Sequence, residues 1–141
     1  MCKKIENHCS LLLGKLKVIG FDSTAINWMK SYLEGREQVV DINGTMSSPL
    51  PVNCRVPQGS ILGALLFLLY INDMNAACNC KLFLFADDSA LLISGEDRMQ
   101  VEQALSSELT KIRNWLTDNK LSLHLGKTES ILFGSNHSFR K

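Results

Sequence analysis

The sequence predicts an α+β fold, because helical and strand periodicities are interleaved and short turns join strand to strand. Three observations support this. The apolar run 61–71, broken only by Gly63, reads as a buried helix. Residues 82–85 and 91–93 are apolar on both faces and flank Ala86-Asp87-Asp88-Ser89, which predicts a hairpin with carboxylates at its turn. Val101, Leu105, Leu109, Ile112 and Leu116 fall on one helical stripe against a polar opposite face.

In chain order, residues 8–19 suit a helix, with Ser10 as cap and Gly20 as stop. Asp22 or Ser23 caps a second helix reaching about Leu33, with Ile26, Met29 and Leu33 on one face and Gly35 closing it. Val39, Val40 and Ile42 predict a strand, and Asn43-Gly44 a two-residue hairpin turn. Pro49 and Pro51 confine the return segment to an edge or irregular strand ending near Val56. Pro57-Gln58-Gly59-Ser60 is a turn, and Ser60 caps the apolar helix, which runs to Asn72 or Asp73. Strands at 81–85 and 91–93 precede a helix over 98–116 that Asn119 ends. Leu121, Leu123 and Leu125 alternate with Ser122 and His124 as in a half-buried strand; Ile131, Leu132 and Phe133 predict a last one. Residues 136–141 are expected to be a loose tail.

A chain of 141 residues is one domain's worth. With 45% hydrophobic and 21% charged residues it is expected to be globular, not disordered. Fifteen basic against fourteen acidic residues leave a net charge of +1, so nothing global draws it to polyanions or anionic membranes. The five cysteines are odd in number and irregular in spacing, which counts against an extracellular disulfide framework and suggests reduced thiols. Cys78-x-Cys80 is closer than the usual zinc-knuckle gap. No signal peptide or membrane span is predicted, so an intracellular protein is expected, nuclear or cytoplasmic and not secreted.

Asp87-Asp88 admits two readings. Paired carboxylates on a rigid hairpin suit Mg²⁺, which leaves part of its coordination shell to substrate phosphates. The other reading is an acidic turn facing water. Gln58 and Gly59 could bring amide groups to a ligand at a helix N-terminus, or form an ordinary loop before a core helix. Lys127, in Gly126-Lys127-Thr128-Glu129, is a mobile point charge for phosphate or a solvated turn lysine. It is not part of a P-loop, for no glycine run precedes it. His8, His124 and His137 show no ligand spacing.

Taken together, these motifs resemble the reverse transcriptase domain of non-LTR retrotransposons, the LINE and jockey-like group. Phe85-Ala86-Asp87-Asp88 resembles its motif C. Arg55-Val56-Pro57-Gln58-Gly59-Ser60 and the following helix to Asp73 resemble motif B. Trp115-Leu116, Asn119-Lys120-Leu121-Ser122-Leu123 and Lys127-Thr128-Glu129 resemble the region of motif D, and residues 11–20 the helix after motif A. The similarity runs from about His8 to Phe133.

The resemblance implies a polymerase palm, an antiparallel sheet with helices on one face, here incomplete, without full fingers or thumb. Residues 1–141 would be a partial reverse transcriptase domain of late fingers and palm. Asp87 and Asp88 would be the metal ligands and catalytic carboxylates, and Lys127 the catalytic lysine near the triphosphate. Arg55, Gln58, Gly59, Ser60 and Phe85 would border nucleotide and template. The implied cofactor is Mg²⁺, with Mn²⁺ as alternative, expected only in a complete domain. The implied partners are an RNA template, a DNA primer and dNTPs; no membrane and no specific protein partner are expected.

The family's motif A carries Phe-Asp just before the first helix, where this chain reads Met1-Cys2-Lys3-Lys4-Ile5-Glu6-Asn7-His8 with Lys4 near the aspartate's place. Phe85 replaces the commoner tyrosine of motif C. Two functional expectations follow: a fragment of an RNA-directed DNA polymerase whose parent performs two-metal nucleotidyl transfer, or a catalytically dead remnant that binds nucleic acid weakly at most. In either case the 141-residue chain alone is expected to be inactive.

Overall fold

The computed structural model describes residues 9–52 and 59–134. The helix start at His8, the motif A stretch 1–8, Cys2, Cys54, Arg55, the strand end at Val56, Pro57, Gln58 and the tail 136–141 lie outside the described residues. The chain divides between Ile71 and Asn72 into two compact units.

In the unit ending at Ile71, α1 spans Cys9–Ile19 and α2 spans Ser23–Leu33. Ser10 lies inside α1 and is not its cap, since a cap residue sits at the helix boundary with non-helical backbone. Gly20 does stop α1. Its φ is +109°, and the bond from Phe21 N–H to the Leu16 carbonyl, 3.1 Å, closes the terminus. Asp22 caps α2, its Oδ1 accepting the Ala25 N–H at 2.7 Å. Gly35, at φ +67°, turns the chain beyond it.

The strand predicted around Val39–Ile42 is split. β1 (Arg36–Gln38) pairs with β4 (Leu50–Val52), and β2 (Asp41–Ile42) with β3 (Thr45–Met46), all antiparallel. Val39 and Val40 lie outside both ladders, because Ser47 bridges there. Its N–H donates to the Val40 carbonyl at 2.9 Å, and its hydroxyl oxygen accepts the Val40 N–H at 3.0 Å. Asn43 and Gly44 form the expected turn with φ of +52° and +81°. Pro51 stands opposite Glu37 in a two-stranded ladder, where a missing N–H is tolerated.

α3 spans Ile61–Ile71. It was expected to be buried on all sides, but Gly63, Leu66, Tyr70 and Ile71 are buried while Ile61, Leu65 and Leu68 are exposed. Among the described residues, α1 packs along one side of α3. The unit's innermost side chains are Leu12, Leu16, Leu33, Leu66 and Tyr70. Lys15 Nζ donates to the Tyr70 carbonyl at 2.8 Å and lies 4.6 Å from the centre of its ring.

The second unit holds a 3₁₀ helix at Asn72–Ala77, the hairpin β5 (Lys81–Phe85) and β6 (Asp88–Leu92), α4 (Arg98–Asp118) and a 3₁₀ turn at Leu125–Lys127. α4 is capped by Asp97, whose Oδ1 accepts the Gln100 N–H at 2.8 Å, and ends at Asn119 as expected. Its core with the first 3₁₀ helix includes Met74, Cys78, Leu82, Ile112, Leu116 and Leu121. β6 begins at Asp88 and not at Leu91, because Asp88, Ser89 and Ala90 complete the ladder to β5. Neither the 121–125 strand nor the last strand at Ile131, Leu132 and Phe133 forms. Leu121 is buried, yet its N–H closes the end of α4 on the Leu116 carbonyl at 2.7 Å, and no strand among the described residues pairs with 121–125.

The fold is α+β, and no sheet exceeds two strands among the described residues. No helix among them is long and apolar enough to cross a membrane. Cys78 and Cys80 are free thiols. Cys9 is disulfide-bonded, which corrects the reading of five reduced thiols: irregular spacing argues against a framework of bridges, not against one bridge.

Candidate functional site

The β5–β6 hairpin sets the geometry of the acidic pair. Its register runs from Lys81 opposite Leu92 to Phe85 opposite Asp88, so only Ala86 and Asp87 form the connection. Ala86 takes φ +50°, a left-handed conformation that tightens the turn. The two aspartates therefore do not share the turn: Asp87 sits at its tip and Asp88 opens β6. Both are exposed. The strand alternation puts Leu82 and Leu84 on the covered face, and Phe83, Phe85 and Asp88 on the open one. Phe85 is 82% exposed.

Two exposed carboxylates on a firm hairpin are oxygen donors of the kind a hard divalent cation takes. Among the described residues they join no third histidine, cysteine or carboxylate to make a three-donor group. Lys127 ends the second 3₁₀ turn, its N–H donating to the His124 carbonyl at 3.0 Å, and is exposed.

Gly59 and Ser60 belong to the first unit. Gly59 has φ +82°, a conformation that other residues adopt only with strain. Ser60 caps α3 as expected, its Oγ accepting the Gly63 N–H at 2.9 Å. The same Oγ accepts from the Tyr32 hydroxyl at 3.0 Å, which fastens α2 to the start of α3.

A second polar cluster escaped the sequence reading. Glu108 is buried on the apolar stripe of α4, one turn from Leu105 and from Ile112. Its Oε2 accepts the Asn79 N–H at 2.7 Å and its Oε1 the Lys111 ammonium at 2.6 Å. The Lys111 hydrogen bond, helped by that of Asn79, holds its carboxyl below the ordinary glutamate range. Beside it stand Cys78, buried, and Cys80, half-buried. Burial first, then a hydrogen bond with Cys78 and the nearby charge of Glu108, push the Cys80 thiol up. The legible signal was a glutamate interrupting an apolar stripe, since buried charge calls for a partner.

The chain matches the reverse transcriptase (RNA-dependent DNA polymerase) family over residues 8–140. It belongs to that family. It is 33% identical over 130 residues to a probable RNA-directed DNA polymerase from transposon BS of Drosophila melanogaster, covering 86% of this chain and 14% of that protein. It is 30% identical over 113 residues to the RNA-directed DNA polymerase from mobile element jockey of Drosophila funebris, covering 74% of this chain and 12% of that one. The jockey polymerase of Drosophila melanogaster is 26% identical over 115 residues, with 76% and 13% covered. The chain thus spans only 12–14% of the length of these relatives. No solved structure matches it.

Proposed function

We propose that this chain is a palm segment of an RNA-directed DNA polymerase, an intracellular enzyme that extends a DNA primer on an RNA template with dNTPs. The observation that carries the reading is the position of Asp87 at the hairpin tip and Asp88 on the adjoining strand, both open to solvent. In this reading Asp87 and Asp88 would hold a divalent cation, Mg²⁺ or Mn²⁺, which when bound would activate a primer hydroxyl and offset phosphate charge. Asp87, at the turn, can approach from beyond the strand ends; Asp88 is fixed by its ladder pairing with Phe85. Phe85 offers its exposed ring as a stacking surface for sugar or base. Lys127 supplies a mobile positive charge toward the triphosphate. The motif B resemblance assigns Arg55, Gln58, Gly59 and Ser60 to nucleotide and template contacts.

The test is a chimera in which residues 8–133 replace the matching segment of the Drosophila funebris jockey polymerase, assayed by primer extension on RNA with Mg²⁺. Extension that falls at least about 100-fold in Asp87→Asn is expected. A parallel measurement titrates Mn²⁺ into the same chimera and follows the free ion by electron paramagnetic resonance; Asp87→Asn with Asp88→Asn should lower the bound fraction. Unchanged extension or unchanged Mn²⁺ binding in these variants would sink the metal-ligand assignment.

A further inference from the structure

We propose that Cys78, Cys80 and Glu108 form a zinc site. It is separate from the acidic pair and independent of the polymerase reading. The ligand atoms of these three residues lie within 4.8 Å of one another. Around a tetrahedral zinc, with Zn–S about 2.3 Å and Zn–O about 2.0 Å, donor atoms stand roughly 3.5–3.8 Å apart. Small side-chain rotations, moving atoms by about 1 Å, therefore bring the three to a common centre.

The one-residue gap of Cys78-x-Cys80 is too short for a knuckle in which two cysteines carry the site from a single turn. Here the third donor comes from α4, which packs against the 3₁₀ helix preceding Cys78. The sulfurs have only weak engagements to give up. Cys78 Sγ lies 3.8 Å from the Asn75 carbonyl and 3.9 Å from that of Cys80. Glu108 is held ready: the Asn79 N–H and Lys111 ammonium take one lone pair on each oxygen and leave the others for a cation.

Charge favours the assignment. Binding releases one proton from each thiol to solvent and forms two Zn–S bonds and one Zn–O bond. Two thiolates and a carboxylate carry three negative charges; zinc offsets two of them, and Lys111, 2.6 Å from the same carboxylate, offsets the third. The fourth coordination position is reachable. A cavity of about 340 Å³ opens on Cys80 and Glu108, with Lys81, Leu92 and Ala104 in its wall, and admits a water to complete the tetrahedron. Paired thiolates select zinc over Mg²⁺ or Ca²⁺, which prefer oxygen.

The experiment titrates the reduced 141-residue chain with Co²⁺ as a spectroscopic stand-in for zinc. A near-ultraviolet sulfur-to-cobalt band should saturate at one equivalent, with visible bands of tetrahedral intensity, and added Zn²⁺ should bleach both. Cys78→Ser with Cys80→Ser should abolish the band, while a variant carrying Cys2→Ser, Cys9→Ser and Cys54→Ser should keep it. Glu108→Gln retains an acceptor for Asn79 and should weaken zinc competition at least about tenfold. The proposal is overturned by no band in the unsubstituted chain, by a band surviving loss of Cys78 and Cys80, or by loss of the band in the variant that keeps them. Equal zinc affinity in Glu108→Gln would remove the carboxylate from the site.

Discussion

Phe85 and Asp88 face each other as the last pair of the β5–β6 ladder, and only Ala86 and Asp87 join them. Whatever holds this pair in register also aims the acidic tip. Ala86 occupies φ +50°, where an L-residue with a Cβ is strained by roughly 1–2 kcal/mol. Glycine removes that strain at an entropic cost of about 0.5–1 kcal/mol. Ala86→Gly is expected to stabilise the chain by roughly 0.5–1 kcal/mol. A urea titration checks this, with a higher midpoint at unchanged slope expected. A lower midpoint would mean that the turn is not under strain.

Ser60 serves two elements with one oxygen, accepting from the Gly63 N–H and from the Tyr32 hydroxyl. Ser60→Ala removes the cap of α3 and leaves the tyrosine hydroxyl without this acceptor. A loss of about 1–2 kcal/mol is expected, at the upper end of cap substitutions. Tyr32→Phe removes only the link and should cost about 1 kcal/mol or less. Thermal unfolding of both variants decides it; equal losses would mean that the cap itself contributes nothing.

The helices were legible because their signals are local. Asp22, Gly20, Ser60 and Asn119 act within a turn of their own sequence, and the structure uses them as read. Asn43-Gly44 and the 81–85 strand were legible for the same reason. Apart from the Ser10 cap, which falls inside α1, failures occurred where the outcome depends on a distant partner. The alternation at Leu121, Leu123 and Leu125 describes one face of a strand, but no described neighbour completes it. Ser47 interrupts the predicted strand through a side-chain bond that no periodicity reveals. The acidic pair was found from its motif, whereas the separation of Asp87 from Asp88 needed the ladder register. Cys78, Cys80 and Glu108 are thirty residues apart at most in sequence and converge only when α4 packs.

The uneven burial of α3 yields a contrast within one helix. Leu66 is fully enclosed, while Ile61 is 90% exposed. Leu66→Ala should cost about 2–5 kcal/mol, the range for a buried leucine. Ile61→Ala should change stability by less than about 0.5 kcal/mol, as for a surface position. Denaturant titrations of the two variants measure the difference. Similar losses would show that α3 is enclosed on both sides in solution.

Glu108 makes stability depend on pH in a defined direction. Its carboxyl is held below the ordinary glutamate value by the Lys111 hydrogen bond and, next, by the Asn79 N–H. The folded chain therefore binds this proton more weakly than the unfolded chain does. The resulting stabilisation is fully present above the unfolded glutamate pKa of about 4.3 and disappears as pH falls through the lower folded value. Glu108→Gln cannot ionise, so it should lose that part of the acid limb while remaining helical. The measurement is the denaturation midpoint of both chains between about pH 6 and pH 3, with a chelator present so that no metal competes. The two midpoints should differ most at the neutral end and converge toward the acid end. Curves that stay parallel throughout would show that the Glu108 charge is not linked to folding.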